Sequence, residues 1–240
     1  MNNNEEQEIK KEFQLERVIL FSDAVFAIII TIMVLDIKLP ETLRHATSKQ
    51  VRDAFTELLP KFFAYVVSFF LVGNFWVRHL RIFSFLKDYD TRLIVLNLVF
   101  LFFISLFPFA VSFISGGPHV MEQTWGIFTY VSIIFLIITA QTTLVHYLIA
   151  NRERLCFSIE KMDSVLKWKV QRLNYIFVPA IFLVMLLMSI LAMDPKILIY
   201  IIAFYGFLIG RLGKKYYPQN QRTPFLKLVY SRVKLKKPKA

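Results

Sequence analysis

The chain has 240 residues, 56% of them hydrophobic and 16% aromatic, with a formal net charge of +12 and a mean hydropathy of +0.53. A soluble domain of this length shows more polar surface and lacks long uncharged runs, so the composition excludes one and leaves a polytopic membrane protein. A single cysteine, Cys156, excludes an intrachain disulfide and any paired-cysteine metal or redox site, and the four histidines show no metal-ligand spacing, so no cofactor or metal is expected.

In chain order, the opening "MNNNEEQEIKKEFQLER" holds five glutamates and three basic residues. It lacks the basic start, apolar core and small-residue cleavage site of a secretory leader, so residues 1–17 are expected to be a cytosolic arm. Six helices are predicted near Val18–Ile37, Lys61–Leu80, Leu93–Phe113, Thr124–Ala150, Leu173–Met193 and Ile197–Leu212, forming an all-α transmembrane unit over 18–212. The runs Leu93–Met121 and Gln123–Asn151 each hold 29 residues without a charge, and Leu173–Met193 holds 21; each is long enough for a crossing. Turn signals "LPET", "SGGP" and "DP" separate the segments. Residues 213–240 form a basic tail suited to anionic lipid headgroups, without the basic fold or binding motif of a nucleic-acid protein.

With the N-terminus inside, the segments on that side carry 23 Lys and Arg against 6 on the other. The positive-inside rule then places both termini in the cytosol.

Ionisable groups at membrane depth are costly and become candidates for function. Asp23 and Asp36 enclose twelve uncharged residues, about 18 Å of helix against a hydrocarbon core about 30 Å thick. The topology brings Arg17 and Asp23, the end of the second helix (Trp76, Arg78, His79, Arg81) and Asn97 of the third to similar depth. Arg17 and Asp23 are six residues apart, poorly placed to pair on one helix. Asp23 is expected to reach His79 or Trp76, and Arg17 a carboxylate, a hydroxyl or a helix C-terminus on a neighbour. Two readings stay open for this group, a clamp between helices and a proton or ion relay through Asp23 and His79. Ile28, Thr31 and Leu35 recur at i, i+3 and i+7, one face of the first helix. Periodicity leaves open whether that face meets lipid, a neighbour or a pore, with Thr31 bonding back to its own helix.

The stretch "RVILFSD" fits an RxxxFSD signature and resembles the transmembrane protein 175 family, endosomal and lysosomal potassium channels with bacterial relatives. "AVFAIIITIMVL" follows that family's first helix, "FWVRHLRIF" resembles its second and "LNLVFLFFISLFPF" its third. The resemblance implies the bacterial single-repeat form: a homotetramer in the cell membrane, permeable to K+, its pore lined by the first helices. The signature then falls on Arg17, Phe21, Ser22 and Asp23, the hydrophobic constriction on Ile28 and the next pore layers on Thr31 and Leu35. It also implies that the signature residues fasten helices behind the pore, with proton conduction as a subsidiary possibility.

A carbonyl filter is not expected, since the chain has no TVGYG loop and only seven glycines; apolar rings can instead gate by dewetting. A secondary transporter would call for inverted repeats with matching broken helices, and neither is visible. An intramembrane enzyme would need convergent catalytic groups, and only Asp23 and His79 come near that; no enzyme is expected.

Overall fold

The computed structural model describes residues 3–37, 47–115, 120–157, 159–191, 193–194 and 197–217. Most of the expected basic tail, residues 218–240, lies outside them, as do most of the "LPET" and "SGGP" turns. The described elements are α1 (Asn3–Ile32) with a 3-10 turn (Met33–Asp36), α2 (Ser48–Phe83), α3 (Thr91–Ser105), α4 (Phe107–Ser115), α5 (Val120–Ala150), α6 (Arg152–Leu155), α7 (Ile159–Leu166), α8 (Trp168–Gln171), α9 (Asn174–Ile190) and α10 (Ile197–Tyr216). The protein is an all-α membrane protein.

Several boundaries differ from the sequence expectation for identifiable reasons. The acidic stretch is helical and continuous with the first crossing: α1 is one 30-residue helix from Asn3, because Glu, Gln and Lys are good helix formers. α2 starts at Ser48, well before Lys61, where the Thr47 side chain and Gln50 form a reciprocal capping box. Its 36 residues span about 54 Å, so it overshoots a bilayer core. The third expected helix divides at Leu106 into α3 and α4. Pro108 sits in the first turn of α4, where its missing N–H would have no intrahelical partner in any case.

Five described segments are long and apolar enough to cross a membrane: Glu12–Leu35, Ser48–Phe83, Thr91–Ile114, Thr124–Ala150 and Trp168–Ile190. The sixth expected crossing corresponds to α10, 20 residues ending in Lys214 and Lys215, which is not among those five.

α5 is the axle of the fold. Its Ile133 and Ile137 pack with Phe26 and Ile29 of α1, Met33 of the 3-10 turn, Phe75 of α2 and Phe100 and Ile104 of α3. Toward its C-terminal end, Leu144, Val145 and Leu148 meet Leu15, Ile82, Leu86 and Leu93. A third group, Phe128, Val131 and Phe135, packs on Val178, Ile181, Met185 and Met188 of α9 and Leu198 of α10. Gly126 lets α5 approach α4 closely, since a Cβ there would stand 2.9 Å from the Ile114 Cα and the Phe113 carbonyl oxygen.

One end of the bundle gathers the connecting segments. Leu86 and Cys156 form an antiparallel bridge, with the Lys87 amide donating to the Leu155 carbonyl and the Phe157 amide to the Phe85 carbonyl, both at 2.9 Å. The Tyr89 hydroxyl donates to Gln14 of α1. Asp90 caps α3 through the Leu93 amide at 2.8 Å, accepts from the Tyr147 hydroxyl at 2.5 Å and pairs with Arg154. Burial alone would push the Asp90 carboxyl up; the hydrogen bonds from Tyr147, Leu93 and Arg154, with the Arg154 charge, outweigh it and hold the group below the usual carboxylate value. The Tyr217 hydroxyl, just past α10, accepts from the Lys169 amide at 3.1 Å. The N-terminal part of α1, the α2–α3 and α5–α9 connections and the end of α10 therefore gather at one end.

Candidate functional site

α1 is apolar almost all round in its membrane segment, yet its two faces differ sharply in packing. Leu15, Ser22, Phe26, Ile29 and Met33 are buried against the rest of the chain, spaced seven, four, three and four apart as one helical stripe. The opposite side carries Phe21, Ala24, Ile28, Thr31 and Leu35, all exposed. The contrast between neighbours is large: Ile28 is 55% exposed and Ile29 is 4% exposed. All three residues of the sequence-derived face lie on this uncovered side. The Thr31 hydroxyl donates back to the Ala27 carbonyl at 3.0 Å and the Ile28 carbonyl at 2.9 Å. Its proton is tied to the helix, and the oxygen lone pairs remain available outward.

Leu35 lies in the 3-10 turn that follows Ile32. At 3.0 residues per turn in place of 3.6, an ideal path rotates Leu35 to about 40° from Ile28 but about 100° from Thr31. The upper layer of the face is thus offset from the two residues below.

Behind the helix the polar residues form a directed chain. Ser22, His79 and Asn97 are buried, with relative exposures of 0%, 0% and 1%. The Asn97 amide nitrogen donates to Ser22 Oγ at 2.9 Å, which in turn donates to the Val18 carbonyl at 2.8 Å. That leaves Asn97 Oδ1 as the acceptor facing His79 Nε2 at 2.8 Å, so Nε2 carries the proton. His79 Nδ1 has no partner among the described residues. The ring is caged by phenylalanines, stacked on Phe83 at 4.1 Å and on Phe100 at 5.6 Å, with Phe26 at 5.8 Å. An amide that links the imidazole to the hydroxyl holds helices together but does not itself exchange protons at neutral pH.

Asp23 takes a separate partner. The Trp76 indole donates to its Oδ1 at 2.8 Å, one of the two contacts expected from the sequence, while His79 turns to Asn97. Arg17 and Phe21 are exposed, and no ion pair joins Arg17 to another described residue. Seven signature and network residues were anticipated; five form these contacts and Arg17 and Phe21 stand apart, on the uncovered side.

Sequence reasoning missed a second polar set. Asn174 donates to Thr142 Oγ1 at 2.9 Å and accepts from the Tyr205 hydroxyl at 2.7 Å, tying α5, α9 and α10. Polar residues inside the uncharged runs, "QTT" from Gln141 and the lone Asn174, carried that signal. Among the described residues no group of His, Cys, Asp and Glu could hold a metal ion.

Residues 17–108 match the family profile described as endosomal/lysosomal potassium channel TMEM175. That segment is similar to the TMEM175 family. A protein of Chryseobacterium named as a potassium channel is 40% identical over 110 residues, 45% of this chain and 53% of its own length. The chicken endosomal/lysosomal proton channel TMEM175 is 31% identical over 114 residues, 48% of this chain and 22% of that protein. The chain thus spans about half the length of the first relative and less of the second. In fold, the crystal structure of a lysosomal potassium-selective channel TMEM175 homologue from Chamaesiphon minutus aligns with a TM-score of 0.61 at 24% identity, covering 81% of this chain and 97% of that one. Arg17, Phe21, Ser22, Asp23, Trp76, His79 and Asn97 all fall inside the matched segment.

Proposed function

We propose that this chain is one subunit of a potassium-permeable cation channel, four copies of which surround a pore lined by the exposed face of α1. The observation that carries the reading is the division of α1: one face sealed into the chain's own core, the other leaving Ile28, Thr31 and Leu35 uncovered. The names of the bacterial relatives supply the permeant ion. Four Ile28 side chains form the narrow apolar ring, which passes partly dehydrated ions and closes by dewetting. Outward lone pairs of Thr31 replace some of the lost water. Ser22, Asp23, Trp76, His79 and Asn97 fasten α1 to α2 and α3 so that the ring keeps its diameter, and Arg17 and Phe21, uncovered in a single chain, face neighbouring subunits. The protein sits in the cell membrane with both termini cytosolic and the basic tail near anionic headgroups, an arrangement supported by the 23-to-6 distribution of basic residues and the shared end of the connecting segments.

The proton-channel name of the chicken relative favours a second reading, conduction of protons along the same pore. Both are tested by reconstituting the purified chain in liposomes. A potassium gradient without a coupling ion should drive flux that persists at low temperature and yields unitary currents. Flux seen only against a pH gradient would favour protons; flux that demands a coupling ion would favour a secondary transporter and refute the channel.

A further inference from the structure

The face of α1 turned to the pore is flanked by uncovered surfaces that differ on its two sides. Asp23 meets Trp76 of α2 and Ser22 meets Asn97 of α3. On α1 these two residues lie about 140° and about 120° from Ile28, in opposite senses. With Ile28 toward the axis, α2 stands on one side of the pore face and α3 on the other. On the α2 side, Leu20 and Ala27 of α1 and Phe69 and Trp76 of α2 are exposed. Gly73 lies one turn from both Phe69 and Trp76 on the same face, and a Cβ added there would meet nothing within 4 Å. It makes a notch between two aromatic side chains. No described neighbour requires a glycine there, although glycine within a helix is less stable than alanine. On the α3 side, Val95, Leu98 and Phe102 recur at i, i+3 and i+7. They are exposed, Phe102 by 58%, on the face opposite the buried Asn97 and Ile104.

We infer that Phe102 of each copy seats over Gly73 of the next, a knob-into-notch contact that closes the ring of four. Three arguments make a second copy the occupant. Both surfaces adjoin the pore face of α1, and rotation about the pore axis brings the α3 side of one copy against the α2 side of its neighbour, as a heterologous ring demands. Such a rotation also preserves depth. His79 bonds Asn97 at 2.8 Å; from that pair, Gly73 lies about 9 Å and Phe102 about 7.5 Å along their oppositely directed helices, toward the same end. Knob and notch therefore meet at one level. Finally, helices in lipid associate by close packing, which a small residue facing a large one provides. The inference rests on the reading of α1 as the pore helix and adds the surface by which its neighbours dock.

The test coexpresses two copies of the full chain with different tags, Gly73→Cys in one and Phe102→Cys in the other, both with Cys156→Ser. Copper–phenanthroline applied to the membranes should join the two tags through a disulfide, and neither variant should join to itself. Size exclusion in detergent supplies a second reading. Gly73→Leu fills the notch and should lower the tetramer-to-monomer ratio about tenfold or more. The monomer should keep its helicity, because the added side chain enters open space. Phe102→Ala should lower the ratio severalfold, and adding it to Gly73→Leu should recover part of the loss. A Gly73→Leu chain that assembles like the parent would show that lipid covers the notch and would overturn the inference. So would the absence of a disulfide between the tags, or one formed only between two Phe102→Cys copies. Potassium flux is scored separately: flux without the disulfide removes this contact and keeps the channel, and the disulfide without flux does the reverse.

Discussion

Replacing Asn97 by leucine removes the centre of the buried chain at nearly constant volume. Two hydrogen bonds disappear, to His79 at 2.8 Å and to Ser22 at 2.9 Å. They are not equal losses. Ser22 keeps its donation to Val18 at 2.8 Å and forfeits only an acceptor role, whereas the His79 N–H is stranded in a cage of three phenylalanines. Leaving such a donor unpaired costs about 1–3 kcal/mol in a water-excluded site, while measured interhelical bonds in membranes average about 0.6 kcal/mol. The expected destabilisation is therefore about 1–2 kcal/mol, read as a lower melting temperature and a lower tetramer yield by size exclusion in detergent. Adding His79→Phe to Asn97→Leu removes the stranded donor, so the double variant should recover most of the loss. Asp23→Asn keeps an acceptor for the Trp76 indole and should be milder than Asp23→Leu. If Asn97→Leu is as stable as the parent while proton flux alone changes, the network is a relay and the fastening role is refuted.

At the pore face, Ile28→Asn should raise conductance and bring the potassium-to-sodium preference toward one, and Thr31→Val should weaken that preference with assembly intact, both measured in planar bilayers. Ile29→Val, on the buried stripe, should cost about 1 kcal/mol of stability and leave permeation unchanged; control of conductance by Ile29 with a silent Ile28→Asn would show the face assigned wrongly. Asp90 has its carboxyl held below the usual value, so its contribution to stability is present above the unfolded carboxylate value of about 3.9 and is lost as pH falls through the lower folded value; the melting temperature should drop over that acid window, and Asp90→Asn should flatten the drop. Cys156 is 1% exposed and burial pushes its thiol up, so it should resist thiol reagents from either side. The orientation is better read with Arg152→Cys in a Cys156→Ser background, which should label from the cytosolic side only; labelling of intact spheroplasts would invert the topology.

Much of this protein was legible in local sequence. Uncharged runs of 29 residues dictate crossings wherever the chain folds, because an unpaired backbone or charge in hydrocarbon is too costly. The distribution of Lys and Arg carries the proposed orientation by the same local energetics. The i, i+3, i+7 spacing of Ile28, Thr31 and Leu35 is a property of helical geometry, and it survived except for the offset that the 3-10 turn gives Leu35. What periodicity could not decide was which face of α1 turns inward. In a soluble helix polarity marks the outside, but here Ile28 and Ile29 are the same residue, and only packing separates 55% exposure from 4%. The members of the network could be named from the sequence but most of their pairings could not: Ser22 and Asn97 stand 75 residues apart and His79 and Asn97 stand 18 apart. Asp23 bonds Trp76 because the packing of α2 on α1 delivers the indole to it and turns the imidazole toward α3. Those choices belong to the angles at which three helices cross, which depend on side chains from all of them at once.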